Sequence, residues 1–323
     1  MQDLVTVFGG SGFVGSQVVR ALARAGLRVR VAVRQPHLAH AMRLKGDVGQ
    51  IEVVQANVRD AASVRRALEG AQAAVNLVGV LYQTGRQTFG SVHAEAAANV
   101  AQAARDLGVG RLVHMSALGA DEGSAAQYAR SKAEGEAAVR AAFPQAVIVR
   151  PSVIFGPGDG FFNKFAEMAM VSPALPLIGG GETRFQPVYV GDVAAAIAKA
   201  VTDPDLAGQT LELGGPGVYT FRELMELLLR QIGRRRALVP LPYGVAGLIG
   251  KVSEILALTP IAPPVTADQV QLLKSDNVVS GRYPGLAELG IAPETIEAIV
   301  PAYLYRFRRG GQYADEVARG AAA

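Results

Sequence analysis

The sequence predicts an α/β protein, in which a doubly wound parallel β-sheet with helices on both faces is followed by a smaller carboxyl-terminal domain. Short β-branched runs alternate with longer Ala/Leu-rich runs over the first 150 residues, which is the pattern of repeated βαβ units. The strand runs are nearly continuous apolar runs rather than alternating ones, as is expected of strands buried on both faces. A glycine-rich loop joins the first strand run to the first helical run.

Six strands and five helices are predicted in this first part of the chain. The predicted strands are residues 4–8, 28–33, 51–55, 73–77, 112–116 and 147–150. The predicted helices are residues 13–25, 36–44, 61–69, 91–107 and 125–142. Gly26 and Gly108 follow two of these helices, at the position where a left-handed residue commonly ends a helix.

The pattern changes after about residue 156, where prolines interrupt the periodicity. Residues 187–201 again predict a strand followed by a helix, and residues 209–213 predict a strand, so we expect the chain to return to the sheet there. Beyond Tyr219 the pattern predicts a helical cap. We therefore expect a nucleotide-binding domain over residues 1–158, rejoined by residues 187–214, and a smaller substrate or partner domain within residues 159–323.

The composition excludes several classes of function. Half of the 323 residues are hydrophobic and there is no cysteine, so the chain can bury a large core and has no thiolate metal site or disulfide. The four histidines lack ligand spacing, and we expect no metal. Residues 1–50 hold seven Lys/Arg against two acidic residues, while aromatic residues make up 6% of the chain. This balance favours a small anionic ligand at the amino end over nucleic acid.

The loop after the first predicted strand has the spacing of a dinucleotide-binding turn. It reads Gly9, Gly10, Ser11, Gly12, Phe13, Val14, Gly15. Glycine suits a turn that needs positive φ, a close approach to a pyrophosphate and tight packing of helix on strand. The pyrophosphate of the ligand would then lie at the free amides of the helix amino terminus. The motif and its position between a strand and a helix predict a Rossmann-type fold that binds a nicotinamide dinucleotide.

The end of the second strand predicts which dinucleotide is bound. An NAD site places an acidic residue there for the ribose 2′-hydroxyl, whereas this chain has Arg34 and no acid before Asp47. Arginine pairs well with a phosphate, so we expect NADP(H) in preference to NAD(H). The ends of the third and fourth strands are expected to flank the adenine and its ribose. These residues are Asn57, Val58, Asn76, Leu77, Val78 and Gly79.

Tyr128 and Lys132 are the candidate catalytic pair. Their four-residue spacing on a predicted helix places both side chains on one face. A lysine ammonium beside the phenol would lower the tyrosine pKa and make it a usable acid or base. Ser116, at the end of the fifth strand, is the candidate third member, although only 11 residues separate it from Tyr128.

These motifs resemble the extended or atypical short-chain dehydrogenase/reductase superfamily. Narrower similarity is to the NAD(P)H-binding accessory subunits of respiratory complex I, alpha-subcomplex subunit nine. The segments that carry the two resemblances are residues 8–15, 46–50, 76–79, 128–132, 150–156, 159–168, 186–193, 203–205, 284–286 and 289–291. Two departures from the active members of the superfamily are Phe8, where a hydroxyl residue is common, and Ala117, which by register occupies the place of the catalytic serine.

The resemblance implies that NADPH is held by Gly9, Gly12, Gly15, Arg34, Asn76, Tyr128 and Lys132. We also expect Pro151 and Ser152, in the matching strand end, to lie at the cofactor. Three functions remain open: an accessory or assembly subunit of complex I, a free-standing NADP-dependent reductase or epimerase, and a binding protein that senses the NADPH/NADP⁺ ratio. Tyr128 and Lys132 do not decide among them, because the same residues also hold the nicotinamide ribose.

Residues 237–267 carry only two charges, Lys251 and Glu254, and follow Arg234, Arg235 and Arg236. This stretch predicts either a helix packed on the protein's own core or an apolar surface that contacts a membrane or a partner subunit. No export signal or spanning segment is predicted. We expect a bacterial or mature protein that is cytoplasmic, or peripheral on the cytoplasmic face of the inner membrane.

Overall fold

The computed structural model describes residues 3–254 and 265–313. The strands are β1 Leu4–Phe8, β2 Arg28–Val33, β3 Ile51–Gln55, β4 Ala73–Asn76, β5 Arg111–Met115, β6 Val147–Pro151, β7 Ile154–Phe155, β8 Ala174–Ile178, β9 Arg184–Phe185, β10 Val188–Tyr189, β11 Thr210–Leu213, β12 Tyr219–Thr220 and β13 Ala237–Leu241. The helices are α1 Phe13–Arg24, α2 Ala61–Leu68, α3 Ala96–Asp106, α4 Gln127–Ala142, α5 Phe162–Val171, α6 Val190–Thr202, α7 Phe221–Gln231, α8 Tyr243–Ser253, α9 Ala267–Leu272, α10 Ile296–Ile299 and α11 Pro301–Leu304.

Seven strands form one parallel sheet in the order β11-β6-β5-β4-β1-β2-β3. This is the strand order of a doubly wound fold, with its reversal between β1 and β4. The predicted fold class is confirmed, and β1, β2 and β3 have the predicted bounds. The central strands β1 and β4 are buried at every position, because helices cover both of their faces.

Helices pack on both faces of the sheet. On one face, α1 and α6 share a core with the side chains of Val5, Val7, Val29 and Val31. On the other face, α2, α3 and α4 pack against the alternate strand residues, among them Phe8. The period-two alternation of strand side chains therefore divides the strand residues between two hydrophobic layers.

A second core lies outside the central sheet. Helices α5 and α7 pack together with α10 and α11 around buried aromatic and aliphatic side chains such as Phe155, Phe162 and Leu224. A small satellite core of Ile178, Ala246 and Val270 joins β8 to α8 and α9. Buried Asp159 accepts hydrogen bonds from the backbone amides of Gly156, Phe161 and Asn163, and so holds the start of α5.

Some predicted elements differ from the structure. Residues 36–44 form two short 3₁₀ segments, Pro36–Leu38 and His40–Lys45, rather than an α-helix. Of the returning segments, β11 enters the central sheet beside β6, but β10 pairs with β7 outside it. The part beyond Tyr219 is not only helical, because β13 pairs in parallel with β8. Its sequence ALVPL contains a proline, which lacks a backbone donor and is tolerated at a sheet edge.

No helix in the described part of the chain is long and apolar enough to cross a membrane.

Candidate functional site

A cleft of about 300 Å³ lies at the carboxyl ends of the central strands, beside the reversal of strand order. Crevices at this position bind the ligands of doubly wound folds. The structure brings together nine of the residues predicted to bind the cofactor. Those that line the cleft are Gly9, Ser11, Gly12, Arg34, Asn57, Val58, Leu77, Val78 and Gly79.

The glycine loop packs the start of α1 directly against the end of β1. A Cβ atom on Gly15 would stand 2.2 Å from the carbonyl oxygen of Gly9, so no other residue fits there. Gly9 has a φ of 77°, in the left-handed region that favours glycine. The geometry therefore shows two of the predicted reasons for glycine in this loop, a positive φ at Gly9 and close packing at Gly15.

Helix α1 begins at the floor of the cleft with no side-chain cap. Its N-cap residue is Gly12, and no side chain accepts a hydrogen bond from the first turn. Free amides at a helix amino terminus are suited to a phosphate. Gly10 and Val14 lie behind the loop rather than on the cleft wall, since Gly10 faces Val31 and Val14 is buried in the core. Phe13 packs partly buried against the same core.

Two arginines stand on the cleft wall. Arg34 is exposed, and its Nη1 donates to Gln87 Oε1 at 2.7 Å. Arg59, which the sequence analysis did not single out, also lines the cleft and donates to the carbonyl of Arg86 at 2.7 Å. Among the described residues of the cleft lining, none is Asp or Glu. The wall is therefore suited to an anionic group such as a phosphate.

Asn76 lies beneath the cleft rather than on its surface. It is buried, its Oδ1 accepts from the amide of Val78 at 3.2 Å, and its amide nitrogen lies 3.2 Å from Nδ1 of His114. These bonds shape the loop after β4 that carries Leu77, Val78 and Gly79. The role of Asn76 in this structure is to hold that loop.

Tyr128 and Lys132 lie on one face of α4, next to the same loop. The Lys132 Nζ atom is 5.9 Å from the centroid of the Tyr128 ring and donates to the carbonyl of Met115 at 3.2 Å. A Cβ atom on Gly79 would lie 3.4 Å from Nζ, so the loop after β4 passes directly over the lysine. The four-residue spacing thus places the pair beside the end of the cleft at Gly79.

The expected lowering of the Tyr128 pKa is wrong for this structure. Burial raises the pKa of Tyr128 to about 12, because desolvation disfavours the phenolate. Burial also lowers the pKa of Lys132 to about 8, against the opposing charge of Glu136. The Lys132 ammonium donates to the carbonyl of Met115. Desolvation of the Tyr128 phenol therefore determines the direction of its pKa shift, rather than the charge of the lysine. Tyr128 is therefore a neutral phenol over the physiological range, able to donate a proton.

His93 is a site residue that the sequence analysis missed. Its Nε2 accepts from the amide of Val80 at 3.0 Å, and its Nδ1 lies 2.9 Å from the hydroxyl of Ser131, which donates to the carbonyl of Tyr128. These partners make Nδ1 the protonated nitrogen. Its ring meets that of Tyr128 edge-on at 5.3 Å between centroids. His93 thus ties the loop after β4 to the helix of Tyr128 and Lys132, and no sequence motif marks it.

Burial holds His93 in its neutral form. Desolvation, with a further contribution from Lys132, lowers the pKa of His93 to about 3. The same two causes lower the pKa of His114 to about 3. Neutral imidazoles fit their hydrogen-bond partners, since Nε2 of His93 is an acceptor only when it carries no proton.

The remaining predicted residues lie at the ends of β5 and β6. The Ser116 hydroxyl is buried and has no hydrogen-bond partner within the described residues, nor has Nε2 of His114. Ser152 donates to Asn277 Oδ1 at 2.7 Å, so its hydroxyl links the strand end to the carboxyl-terminal part of the chain. Pro151 ends β6, and its carbonyl accepts from the amide of Leu118. No cluster of three or more potential metal ligands occurs among residues 3–254 and 265–313.

The family model described as the NAD dependent epimerase/dehydratase family matches residues 5–214. Among curated proteins, the chain is 37% identical over 297 residues to NADH dehydrogenase [ubiquinone] 1 alpha subcomplex subunit 9, mitochondrial, of Mus musculus, covering 91% of this chain and 78% of that protein. The subunit of the same name from Arabidopsis thaliana is 34% identical over 316 residues, 95% of this chain and 79% of that protein. Ceramide reductase of Caulobacter vibrioides is 34% identical over 241 residues, 75% of this chain and 74% of that protein.

Solved structures show the same fold at lower identity. An NADPH-dependent quinone oxidoreductase from Escherichia coli, complexed with NADPH, superposes with a TM-score of 0.73 at 20% identity, covering 93% of this chain and 99% of that chain. The dTDP-glucose 4,6-dehydratase DesIV from Streptomyces venezuelae, with NAD bound, gives a TM-score of 0.71 at 23% identity, covering 95% of this chain and 98% of that chain. The fold thus occurs with either dinucleotide.

Proposed function

The chain belongs to the NAD dependent epimerase/dehydratase family, and on this premise we propose that it holds a nicotinamide dinucleotide in the cleft at the carboxyl ends of its strands. The residues present fit such a ligand. Gly9 and Gly12 line the cleft at the amino terminus of α1, where free amides would complement the charge of the pyrophosphate, and Gly15 lets α1 pack close to this loop. Asn57, Val58, Leu77, Val78 and Gly79 would flank the adenine half.

We propose that NADP(H) is preferred to NAD(H). The support is Arg34 at the end of β2, with Arg59 on the same wall and no carboxylate among the described lining residues. A carboxylate there would favour the free 2′-hydroxyl of NAD and repel a 2′-phosphate. Arginine at this position favours the phosphate instead.

Tyr128 and Lys132 would hold the nicotinamide ribose, and they would also be the acid and its supporting cation in any turnover. When bound, the dinucleotide would supply or accept a hydride. Tyr128, as a neutral phenol, is suited to donate its proton to a developing alkoxide, and Lys132 lies beside it. Ser116, the proposed third member, follows β5, and its buried hydroxyl has no hydrogen-bond partner in the part of the chain that the structure describes.

We propose that the protein acts as an accessory or assembly subunit of NADH:ubiquinone oxidoreductase, respiratory complex I. The observation that carries this proposal is the length of the similarity. Two relatives named as alpha subcomplex subunit 9, from Mus musculus and Arabidopsis thaliana, match 91% and 95% of this chain, so the similarity extends beyond the residues that the family model matches into the carboxyl-terminal part. Proteins that share only the cofactor site need not be similar in the carboxyl-terminal part, because the same nucleotide-binding fold occurs in proteins of many functions.

Helix α8 offers a surface for such an association. Val245, Leu248, Ile249 and Val252 are exposed at a spacing that forms one helical stripe, while Ala246 and Gly250 face the protein. Such a stripe is unusual on a monomer and is typical of an interaction site. We propose that this stripe, with the nearby Arg234, Arg235 and Arg236, contacts complex I subunits or the membrane beside them. The protein would then be peripheral on the cytoplasmic face of a bacterial inner membrane.

Affinity purification of the tagged protein from membranes tests this role. We expect core subunits of complex I to co-purify, and we expect complex I activity to fall when the protein is deleted. A monomer that elutes without respiratory subunits from gently solubilised membranes would contradict the proposal and leave the nucleotide site unaffected.

A free-standing NADP-dependent reductase is the second candidate. It is favoured by the Tyr128/Lys132 pair and by the similarity to a protein named ceramide reductase over 75% of this chain. Oxidation of NADPH across a panel of carbonyls and quinones would distinguish the two roles. Turnover that is abolished by Tyr128→Phe while the variant still binds NADPH would support the reductase.

A further inference from the structure

We infer that Asp268 is a positioning residue for Tyr128, and that it makes the nucleotide site depend on helix α9 of the carboxyl-terminal domain. This inference deepens the proposed nucleotide binding and rests on it. The argument begins at the amino terminus of α4, where the chain itself supplies no cap.

Helix α4 begins at Gln127, after Ala126 at the N-cap position. Alanine has no side-chain acceptor, and a helix without an N-cap leaves its first amides unpaired. The structure shows the missing acceptor on another element. Asp268 Oδ1 accepts from the amide of Gln127 at 2.6 Å, and Oδ2 accepts from the amide of Tyr128 at 2.9 Å. Both oxygens of one carboxylate, 140 residues away in sequence, therefore cap the helix at Tyr128 and the residue before it.

The same helix also reaches the opposite wall. Gln269, the neighbour of Asp268 on α9, directs its amide nitrogen to the carbonyl of Leu81 at 3.5 Å. In the same loop, Gln83 donates to Gln127 at 3.2 Å. The loop after β4 lines the cleft and α4 carries Tyr128 and Lys132, and α9 contacts both elements.

Helix α9 is in turn fixed to α8. A Cβ atom on Gly250 of α8 would stand 2.6 Å from the backbone nitrogen of Ala267, so the two helices touch through their backbones. Glu254 Oε1 accepts from that same nitrogen at 3.0 Å, and Ser253 donates to the carbonyl of Val265. Through these contacts α8 and α9 pack as one unit. The exposed stripe on α8 is therefore joined through α9 and one carboxylate to the backbone of Tyr128.

This arrangement couples the nucleotide site at Tyr128 to the exposed stripe on α8 through the packed pair of helices α8 and α9. A ligand that needs Tyr128 in place stabilises the contact of α9 with α4, and anything that moves α8 alters that contact. By linkage the effect must act in both directions. Binding of NADPH is therefore expected to steady α8 and α9, although neither helix lines the cleft.

Asp268→Ala tests the inference, with Asp268→Asn as the conservative variant because its single side-chain oxygen keeps one of the two bonds. Thr220→Ala is the matched control, since Thr220 caps α7 away from the cleft. We expect Asp268→Ala to weaken NADPH binding, measured by calorimetry, by about 5- to 10-fold. We expect an intermediate loss for Asp268→Asn and none for Thr220→Ala, even if both alanine variants melt at a lower temperature.

Hydrogen exchange in the full-length protein separates this inference from the nucleotide site itself. In the unmutated protein, NADPH should slow exchange at residues 9–16, at residues 127–132 and in α8 and α9. In Asp268→Ala, a saturating concentration of NADPH should still protect residues 9–16 but no longer α8 and α9. Unchanged affinity together with retained protection of α8 and α9 in Asp268→Ala would overturn the inference. If NADPH does not slow exchange at residues 9–16 in the unmutated protein, the proposed nucleotide site is refuted.

Discussion

At the scale of single residues, the cleft depends both on glycines, which have no side chain, and on the charged side chain of Arg34. Gly15 is required because its Cβ position coincides with the carbonyl of Gly9. Arg34 contributes by its side chain instead, since its exposed guanidinium on the cleft wall donates a hydrogen bond to a neutral partner, Gln87. Each residue has one physical consequence that a single substitution can test.

Gly15→Ala is expected to destabilise the protein and abolish nucleotide binding. The added methyl would lie 2.2 Å from a backbone oxygen, so β1 and α1 must separate. Overpacking of this kind costs typically about 1–3 kcal/mol, and here the neighbour is backbone that cannot turn aside, so we expect the upper end of that range. Chemical denaturation measures the free energy of unfolding.

Gly90→Ala provides the control for this substitution, because the Cβ position of Gly90 meets no atom within 4 Å. It should change the free energy of unfolding by less than about 1 kcal/mol, in the stabilising direction. Equal losses in the two variants would contradict the packing argument.

Arg34→Ala is expected to lower the ratio of NADPH to NADH affinity by about 10- to 100-fold. A hydrogen-bonded charge pair contributes about 1.5–3 kcal/mol, which converts to that range. Calorimetric titration with each dinucleotide measures the ratio. Arg59→Ala is the comparison, since Arg59 lines the same cleft. An unchanged ratio in Arg34→Ala and a lowered ratio in Arg59→Ala would move the 2′-phosphate site to Arg59.

At the scale of elements, buried polar residues join strands β4 and β5 to helix α4. His114 on β5 bonds Asn76 on β4, and His93 joins the loop after β4 to Ser131 of α4. Both histidines are almost fully buried. Their hydrogen bonds place the loop over Lys132, and their low pKa values make this arrangement sensitive to acid.

The free energy of unfolding is expected to fall as the pH drops below about 6.5. An unfolded histidine takes up a proton near its ordinary pKa of 6.5, whereas folded His93 and His114 do so only near 3. The unfolded state therefore binds more protons between pH 6.5 and 3, and stability is lost as pH falls through that window. Each histidine contributes roughly 1.4 kcal/mol per pH unit.

His114→Asn should reduce the slope of the free energy of unfolding against pH by the contribution of one histidine. Urea unfolding between pH 6 and 4 measures this slope. His37→Asn is the control, because His37 is exposed. The test compares slopes rather than absolute stabilities, since His114→Asn also changes the packing of the core. Identical slopes for the unmutated protein and His114→Asn would show that His114 is not neutral in the folded state.

At the scale of the whole molecule, the cleft and the exposed apolar stripe lie on different parts of the chain. The seven-stranded sheet carries the cleft, whereas α8 presents an apolar stripe to solvent. Burying apolar surface contributes about 25 cal/mol per Å², so a few hundred Å² would favour association by several kcal/mol before the cost of ordering. That amount would localise a protein without inserting it into a bilayer.

Leu248→Glu combined with Ile249→Glu is expected to abolish recovery of the protein with membranes and with complex I. The two side chains are 65% and 45% exposed, so the carboxylates can remain in water and the fold should persist. Fractionation and affinity purification measure the loss, and circular dichroism checks the fold. Leu44→Glu with Val48→Glu is the matched control, because these residues are 86% and 107% exposed on another part of the surface. Equal recovery of the two double variants would contradict a specific role for α8.

Much of the fold and the nucleotide cleft could be predicted because their causes are local in sequence. Strands of a covered parallel sheet are rich in apolar residues, so the sequence predicts β1, β2 and β3 with the bounds that the structure shows. A glycine-rich turn between a strand and a helix has few uses other than phosphate binding, and Gly9, Ser11 and Gly12 do line the cleft. The similarity to complex I subunit 9, confirmed by the comparisons, also follows from the sequence.

Tertiary structure alone decided the electrostatics of the site and its connection to helix α9. The four-residue spacing of Tyr128 and Lys132 showed that they share a face, but the pKa of a phenol depends on burial, which spacing does not specify. His93 and Asp268 have no motif, because their partners lie 13 to 141 residues away in the chain. Sequence determines what depends on a residue's neighbours along the chain, whereas solvation and long-range hydrogen bonds exist only once the chain has folded.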